Sequence, residues 1–318
     1  MKRIFITSSG TLKRKSNTIS FITREGTRYL PYTEVESIYV LGEVTLNKRF
    51  LHFLSRAGIP LHFFTLRGHY LGSYLPVTHH VSGYLLLKQV EHYNDPGLRL
   101  TLARAFVEGS IRNMALILRE NGLPECASKL RTFLDRDVSS VQELLGVEGN
   151  AREMYYSCFD QVLGEDFAFE KRTRRPPQNR LNSLISLGNS LLYVTVLDEI
   201  RKTHLDPRIG FLHTTNFRRF SLNLDVAEVF KPVVVDRLII SMINRGSITP
   251  QDFEEGSSGL RLTREALRKF LSEYDRKLSS TITVKRRKVS YTSLIRMEGY
   301  KLERHVMGEM TYRPYVAR

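Results

Sequence analysis

Residues 204–244 read HLDPRIGFLHTTNFRRFSLNLDVAEVFKPVVVDRLIISMIN, and the architecture of the chain turns on them. From Ser221 onward the run is apolar at nearly every helical position. Leu222, Leu224, Val226, Ala227, Val229, Phe230, Val233, Val234 and Val235 leave no face for solvent. A helix that is hydrophobic all round is a buried helix. Two carboxylates interrupt it, Asp225 and Glu228, and at about 100° per residue positions three apart share a face. Two buried carboxylates side by side lose hydration and repel, so one takes up a proton unless a cation lies between them. His213, in the preceding loop Phe211-Leu212-His213-Thr214-Thr215, offers a nitrogen ligand close by in the chain. Lys231 follows Glu228 by three residues on nearly the same face and is a candidate to hold a reacting phosphate. Pro232 is expected to kink or restart the helix there.

On either side of this run the chain shows two kinds of pattern. Residues 1–80 read as strands: Arg3–Ile6, the alternating Thr18–Ile22, Glu36–Gly42, Ile59–Phe64 and Tyr70–Leu75, with one short helix over Asn47–Ala57. From residue 97 the periodicity is helical. Helices are expected over 97–121, 125–135, 138–145, 149–163, 179–202 and 263–278. The fold class is therefore α+β, with a β-rich domain over 1–85, a linker over 86–96 and an all-α domain over 97–318 that ends in a basic tail.

At 318 residues the chain is at the upper limit for one core, which supports two domains. Its 42% hydrophobic and 25% charged residues are those of a globular protein. No stretch approaches membrane-spanning length, and no secretory h-region precedes the first strand. Cys126 and Cys158 are too few and too far apart for a zinc cluster or a disulfide framework, and read as reduced residues of an intracellular protein. The net charge of +15 predicts a polyanionic partner, most simply nucleic acid. Residues 1–80 carry 11 Lys/Arg against 4 Asp/Glu. In the remainder the excess gathers in two places. One is the loop with Arg172, Arg174 and Arg175; the other is the tail with Lys285, Arg286, Arg287 and Lys288. These are the candidate phosphate tracks.

Several separated stretches together resemble one known family. They are Gly149-Asn150-Ala151-Arg152-Glu153-Met154-Tyr155-Tyr156; Arg174-Arg175-Pro176-Pro177 with Asn179, Asn182, Ser183 and Leu184; Leu205-Asp206-Pro207 through Gly210-Phe211-Leu212-His213; and Ser221 through Arg237. In this order and spacing they are similar to the metal-dependent DNA integrase of CRISPR adaptation. The resemblance implies metal ligands at Glu153, His213 and Glu228, with Asp225 as a neighbouring or alternate ligand. Periodicity alone does not single out Glu153, which points about 200° from Tyr155 and so toward solvent. The resemblance further implies a homodimer joined through the β-rich domain, a small ferredoxin-like partner protein, and DNA fragments and the CRISPR repeat as substrates. One nitrogen with two or three carboxylate oxygens suits Mg²⁺ or Mn²⁺. Attack by a DNA 3′-hydroxyl gives integration and attack by water gives cleavage. A structure-specific nuclease without integration, or a non-catalytic nucleic-acid-binding protein, are the competing readings.

Overall fold

The computed structural model describes all residues except 78–79, 81, 174–176, 216–219, 257–258, 285 and 318. The chain separates into two compact units, residues 1–79 with 262–275, and residues 80–261 with 276–318.

The first unit is built from β1 (Lys2–Ile6), β2 (Gly10–Lys15), β3 (Thr18–Thr23), β4 (Gly26–Pro31), β5 (Val35–Val40), β6 (Val44–Thr45), helix α1 (Lys48–Ala57), β7 (Leu61–Phe64) and β8 (Tyr70–Tyr74). The strands form two four-stranded sheets, ordered β1-β5-β7-β8 and β4-β3-β2-β6. β1, β5 and β7 run parallel, while β2, β3 and β4 make an antiparallel meander. The core takes the apolar faces of the strands and of α1: Leu12, Ile38, Phe50, Leu54 and Leu61 are at most 1% exposed. α1 starts where the Asn47 side chain accepts the Phe50 N–H and stops at Gly58, whose φ of 69° favours glycine.

The second unit is mostly helical. It comprises α2 (Gly83–Asn94), α3 (Pro96–Glu120), α4 (Pro124–Arg131), α5 (Val141–Ser157), α6 (Asp160–Leu163), α7 (Arg180–Ile200), α8 (Leu222–Phe230) and α9 (Arg237–Asn244). Then come β9 (Phe253–Gly256), β10 (Gly259–Leu262), α10 (Arg264–Ser279), β11 (Thr281–Val284), β12 (Arg287–Ser290) and α11 (Tyr291–Val306). Most of α10 belongs to the first unit. α3 packs against α4, α5 and α8 and is buried almost continuously from Leu102 to Leu118.

Three expectations differ from what is found. The segment 86–96, read as a linker, is helix through Asn94, because Ser82 caps α2 by accepting the Leu85 N–H at 3.2 Å and Asp95 then caps α3. The C-terminal part is not all-α: β9 pairs with β10 and β11 with β12. Thr281-Ile282-Thr283-Val284 alternates with the period of a strand, and Arg286 takes a φ of 66° before β12. Finally, the helices expected over 138–145 and 149–163 are mostly one helix, α5, which runs through Gly146 and Gly149. A glycine inside a helix costs only about 1 kcal/mol, which the buried stripe Leu144, Val147, Ala151 and Tyr155 outweighs.

Among the described residues no helix is long and apolar enough to cross a membrane.

Candidate active site

α8 is buried on all sides, as its composition dictates: every residue from Val226 to Phe230 is at most 3% exposed. Pro232 cannot donate an N–H, and residues Lys231–Asp236 run as a π-helical turn before α9 resumes. This turn presents Lys231 back toward Glu228. The Lys231 ammonium donates to Glu228 Oε1 and lies 5.0 Å over the ring of Tyr193.

The other oxygen of Glu228 accepts from Arg152 on α5. Arg152 also donates through Nε to Glu148 Oε1 at 2.6 Å and through Nη2 to Ser110 Oγ at 3.1 Å. One guanidinium therefore bridges two carboxylates, Glu148 and Glu228, that come from different helices. Burial alone would raise the Glu228 carboxyl; Arg152 first, then Lys231 and His213, reverse this and hold it below the usual carboxylate range. Burial likewise works against the Lys231 charge, and Glu228 outweighs it so that the ammonium is held above its ordinary range.

His213 is seated by Asp225. The fully buried Asp225 carboxylate accepts the backbone N–H groups of Phe211, Leu212 and His213, and binds the ring Nδ1 of His213 at 2.8 Å. Gly210 is required by close approach: a Cβ there would come within 2.8 Å of Asp225 Oδ2 and of the Ser221 backbone. With Nδ1 held by a carboxylate, the other ring nitrogen, Nε2, faces Glu228 Oε1 at 4.0 Å. Burial lowers the His213 pKa, but Asp225 and then Glu228 outweigh burial and raise it.

The structure thus brings His213, Glu228, Lys231 and Asp225 together, and it does not bring Glu153. Glu153 is exposed on the outer face of α5, where helical periodicity alone would put it. The acid that α5 contributes is Glu148, five residues earlier. It falls between the two segments that the glycines make look like separate helices. Glu148 follows Leu144 by four residues and precedes Arg152 by four, and that spacing on one continuous helix is the signal for it. Asp225, expected as a neighbouring or alternate ligand, has its oxygens on three backbone N–H groups and on His213 Nδ1.

Of the candidate phosphate contacts, Arg172 is turned inward: it donates to Asn182 Oδ1 at 2.7 Å and Ser186 Oγ at 3.1 Å on α7. Asn182 in turn donates to the Lys171 carbonyl at 2.8 Å, so it anchors this loop. Arg286, Arg287 and Lys288 are exposed on the β11–β12 ribbon. Arg174, Arg175 and Lys285 lie outside the described residues.

Among the described residues, no three His, Cys, Asp or Glu side chains lie as close together as a shared cation requires. The donor set nevertheless fits one. Two carboxylates already hold a positive charge between them, that of Arg152. The facing imidazole has its far nitrogen fixed by a carboxylate, which is the usual support of a metal-binding histidine.

Residues 4–276 match the family model described as CRISPR associated protein Cas1. The chain belongs to the Cas1 family. Two relatives named CRISPR-associated endonuclease Cas1 match over nearly their full lengths. That of Thermotoga maritima is 50% identical, over 98% of this chain and 99% of the relative. One from Thermodesulfovibrio yellowstonii is 49% identical, over 99% and 98%. The solved structure of a Cas1 protein from Thermotoga maritima superposes with a TM-score of 0.93 at 49% identity, covering 99% of this chain and all of that one. The chain is accordingly an enzyme of the CRISPR-associated endonuclease class. A casposase bound to an integration product shares the fold with a TM-score of 0.88 at 22% identity, over 99% of this chain and 93% of that one.

Proposed function

We propose that this Cas1 chain is a metal-dependent DNA integrase of CRISPR adaptation, and that Glu148, Glu228 and His213 Nε2 hold its divalent cation, Mg²⁺ or Mn²⁺. The observation that carries this reading is the bridging of Glu148 and Glu228 by one cationic group, opposite a histidine whose Nδ1 is fixed by Asp225. When bound there, such a cation polarises a DNA phosphate and lowers the pKa of the attacking oxygen.

The chain's own residues supply the rest. Asp225 holds the imidazole through Nδ1, so that Nε2, once it has given up its proton, is the nitrogen presented to a cation. Lys231 places an ammonium beside Glu228, where it meets the charge of a phosphoryl oxygen. In integration, a 3′-hydroxyl oxygen of a DNA fragment attacks a phosphorus of the repeat strand. The phosphorus–oxygen bond to the departing 3′-oxygen breaks, and that oxygen takes up the proton. One phosphodiester is exchanged for another, so no nucleotide cofactor is consumed.

The partner set follows from the same reading: double-stranded DNA, a second copy of the chain, and the small ferredoxin-like adaptation protein. A neighbour of the same fold is named as a complex of Cas6-RT-Cas1 with Cas2, with a TM-score of 0.85 at 20% identity. The exposed Arg286, Arg287 and Lys288, together with Arg174, Arg175 and Lys285, are proposed to track the DNA backbone. No membrane association is proposed, and the cytoplasm is the proposed location.

The test is a half-site integration assay with repeat DNA, fragments carrying free 3′-OH ends, and the partner protein. Joined product that requires a divalent ion and is lost in Glu148→Gln is expected. Metal-dependent cutting without any joining in the complete system would transfer the site to a structure-specific nuclease.

A further inference from the structure

Arg152 leaves one question that its bonds to Glu148 and Glu228 do not answer. Its guanidinium occupies the position between the carboxylates that the proposed cation takes. A cation entering there adds charge to a buried site that already holds Arg152 and Lys231. Removing the counter-charge from a buried guanidinium is strongly unfavourable. The displaced guanidinium therefore needs another buried anion within reach.

Asp236 is that anion. It is fully buried, at the end of the π-helical turn that begins at Lys231. Its Oδ1 accepts the Tyr156 hydroxyl at 3.3 Å and the buried Tyr155 hydroxyl also bears on the carboxylate, while Oδ2 has no partner at normal hydrogen-bond length. Arg152 Nη1 is also buried with no partner. Tyr156, four residues beyond Arg152 on α5, donates to Asp236, and the charge of Arg152 is felt by both Tyr156 and Asp236. An underused acceptor and an unfilled donor thus lie close enough in the core to interact electrostatically. Buried polar groups are normally paired, so such a couple calls for an explanation.

We infer that Arg152 is a displaceable internal counter-ion: it neutralises Glu148 and Glu228 in the metal-free enzyme and transfers to Asp236 when a divalent cation binds. The guanidinium then stays paired in both states, and Asp236 acts on the metal site only through Arg152. Asp236 is a positioning residue here, not a ligand. The inference rests on the metal site proposed above.

The experiment is a double-mutant cycle read by Mn²⁺ binding, using calorimetry on the full-length protein, with metal-free thermal melts as the control for folding. Asp236→Asn is expected to weaken Mn²⁺ about tenfold, the scale found for groups that support metal ligands. Arg152→Gln is expected to tighten it, and in that background Asp236→Asn should have little further effect. If Glu148→Gln binds Mn²⁺ as the wild type does, the metal site itself is misassigned. If Glu148→Gln loses binding but Asp236→Asn binds normally, the exchange is overturned while the site stands. An Asp236→Asn loss that persists alongside Arg152→Gln overturns the exchange as well, because Asp236 would then act on the ion directly. Crystals of the wild type grown with and without Mn²⁺ test the point without substitution. The guanidinium should be found on Asp236 with the ion and on Glu228 without it; a guanidinium that stays on Glu228 beside the bound ion contradicts the exchange.

Discussion

Asp225 holds His213 at two points, the backbone N–H at 2.9 Å and the ring Nδ1 at 2.8 Å. The same carboxylate therefore fixes both the loop and the tautomer of the residue the loop presents. Asp225→Asn turns one acceptor into an NH₂ group facing N–H donors. We expect a roughly 10- to 100-fold loss of Mn²⁺ affinity, together with a lower melting temperature. Gly210→Ala should act on the same seat by steric means and cost about 1–3 kcal/mol in urea unfolding. Normal metal binding in both variants would show that His213 does not depend on this support.

The choice between Glu148 and Glu153 is open to direct trial. Glu148→Gln should reduce metal-dependent cleavage by roughly two orders of magnitude or more, the scale of a lost group at a reacting centre. Glu153→Gln should stay close to wild type, as exposed positions away from a site usually do. Side-by-side nuclease assays at matched protein concentration decide it. A silent Glu148→Gln paired with a dead, folded Glu153→Gln would reverse the assignment.

Two buried acids should push acid stability in opposite directions. Glu228 is held below its ordinary range by Arg152 and Lys231 against the effect of burial. Its contribution is therefore present above the unfolded pKa near ~4.3 and is lost as pH falls through the folded value. Burial raises Asp236 to about 7, with Arg152 and Lys231 opposing. The native state then keeps a proton that the unfolded chain has released, so this group costs stability as pH rises from ~3.9 to about 7. Metal-free Asp236→Asn should lack that decline and exceed the wild type at pH 8, by at most about 4 kcal/mol. Urea titrations at pH 5 and pH 8 measure the difference, and parallel curves for the two proteins would refute it.

The arginines separate by role. Replacing Arg286, Arg287 and Lys288 together by Ala should weaken DNA binding and flatten the plot of log affinity against log salt by roughly three units of slope. Arg172→Ala should leave that slope unchanged and lower the melting temperature, because Arg172 ties its loop to Asn182 and Ser186. Fluorescence anisotropy across a salt series distinguishes the two outcomes.

Legibility in the sequence follows the range of the interaction. α8 is readable because an all-apolar run has one physical solution, burial, and any acid inside such a run must be answered by a partner. The strands of the first unit and the long helices α3 and α7 are readable from their periods of 2 and 3.6 residues. The family resemblance identifies the enzyme class but points to Glu153, which the structure places on the exposed face of α5. Gly146 and Gly149 look like breaks, and they hide the spacing of Glu148 on the buried stripe.

Local periodicity, composition and charge were enough for the α+β order of the chain, the buried helix with its two acids, the histidine in the loop before it, and the basic surface that calls for a polyanion. Three-dimensional packing was needed for the rest: that Asp225 serves His213 while Glu228 faces Arg152 and Lys231, that Arg152 bridges Glu148 to Glu228, and that Arg172 faces inward. The decisive one, Arg152 to Glu228, joins residues 76 apart in the chain, and the local pairs Glu148–Arg152 and Glu228–Lys231 take on their meaning only through it. A long-range ion pair of that kind is selected by packing geometry, and no spacing within a single segment encodes it.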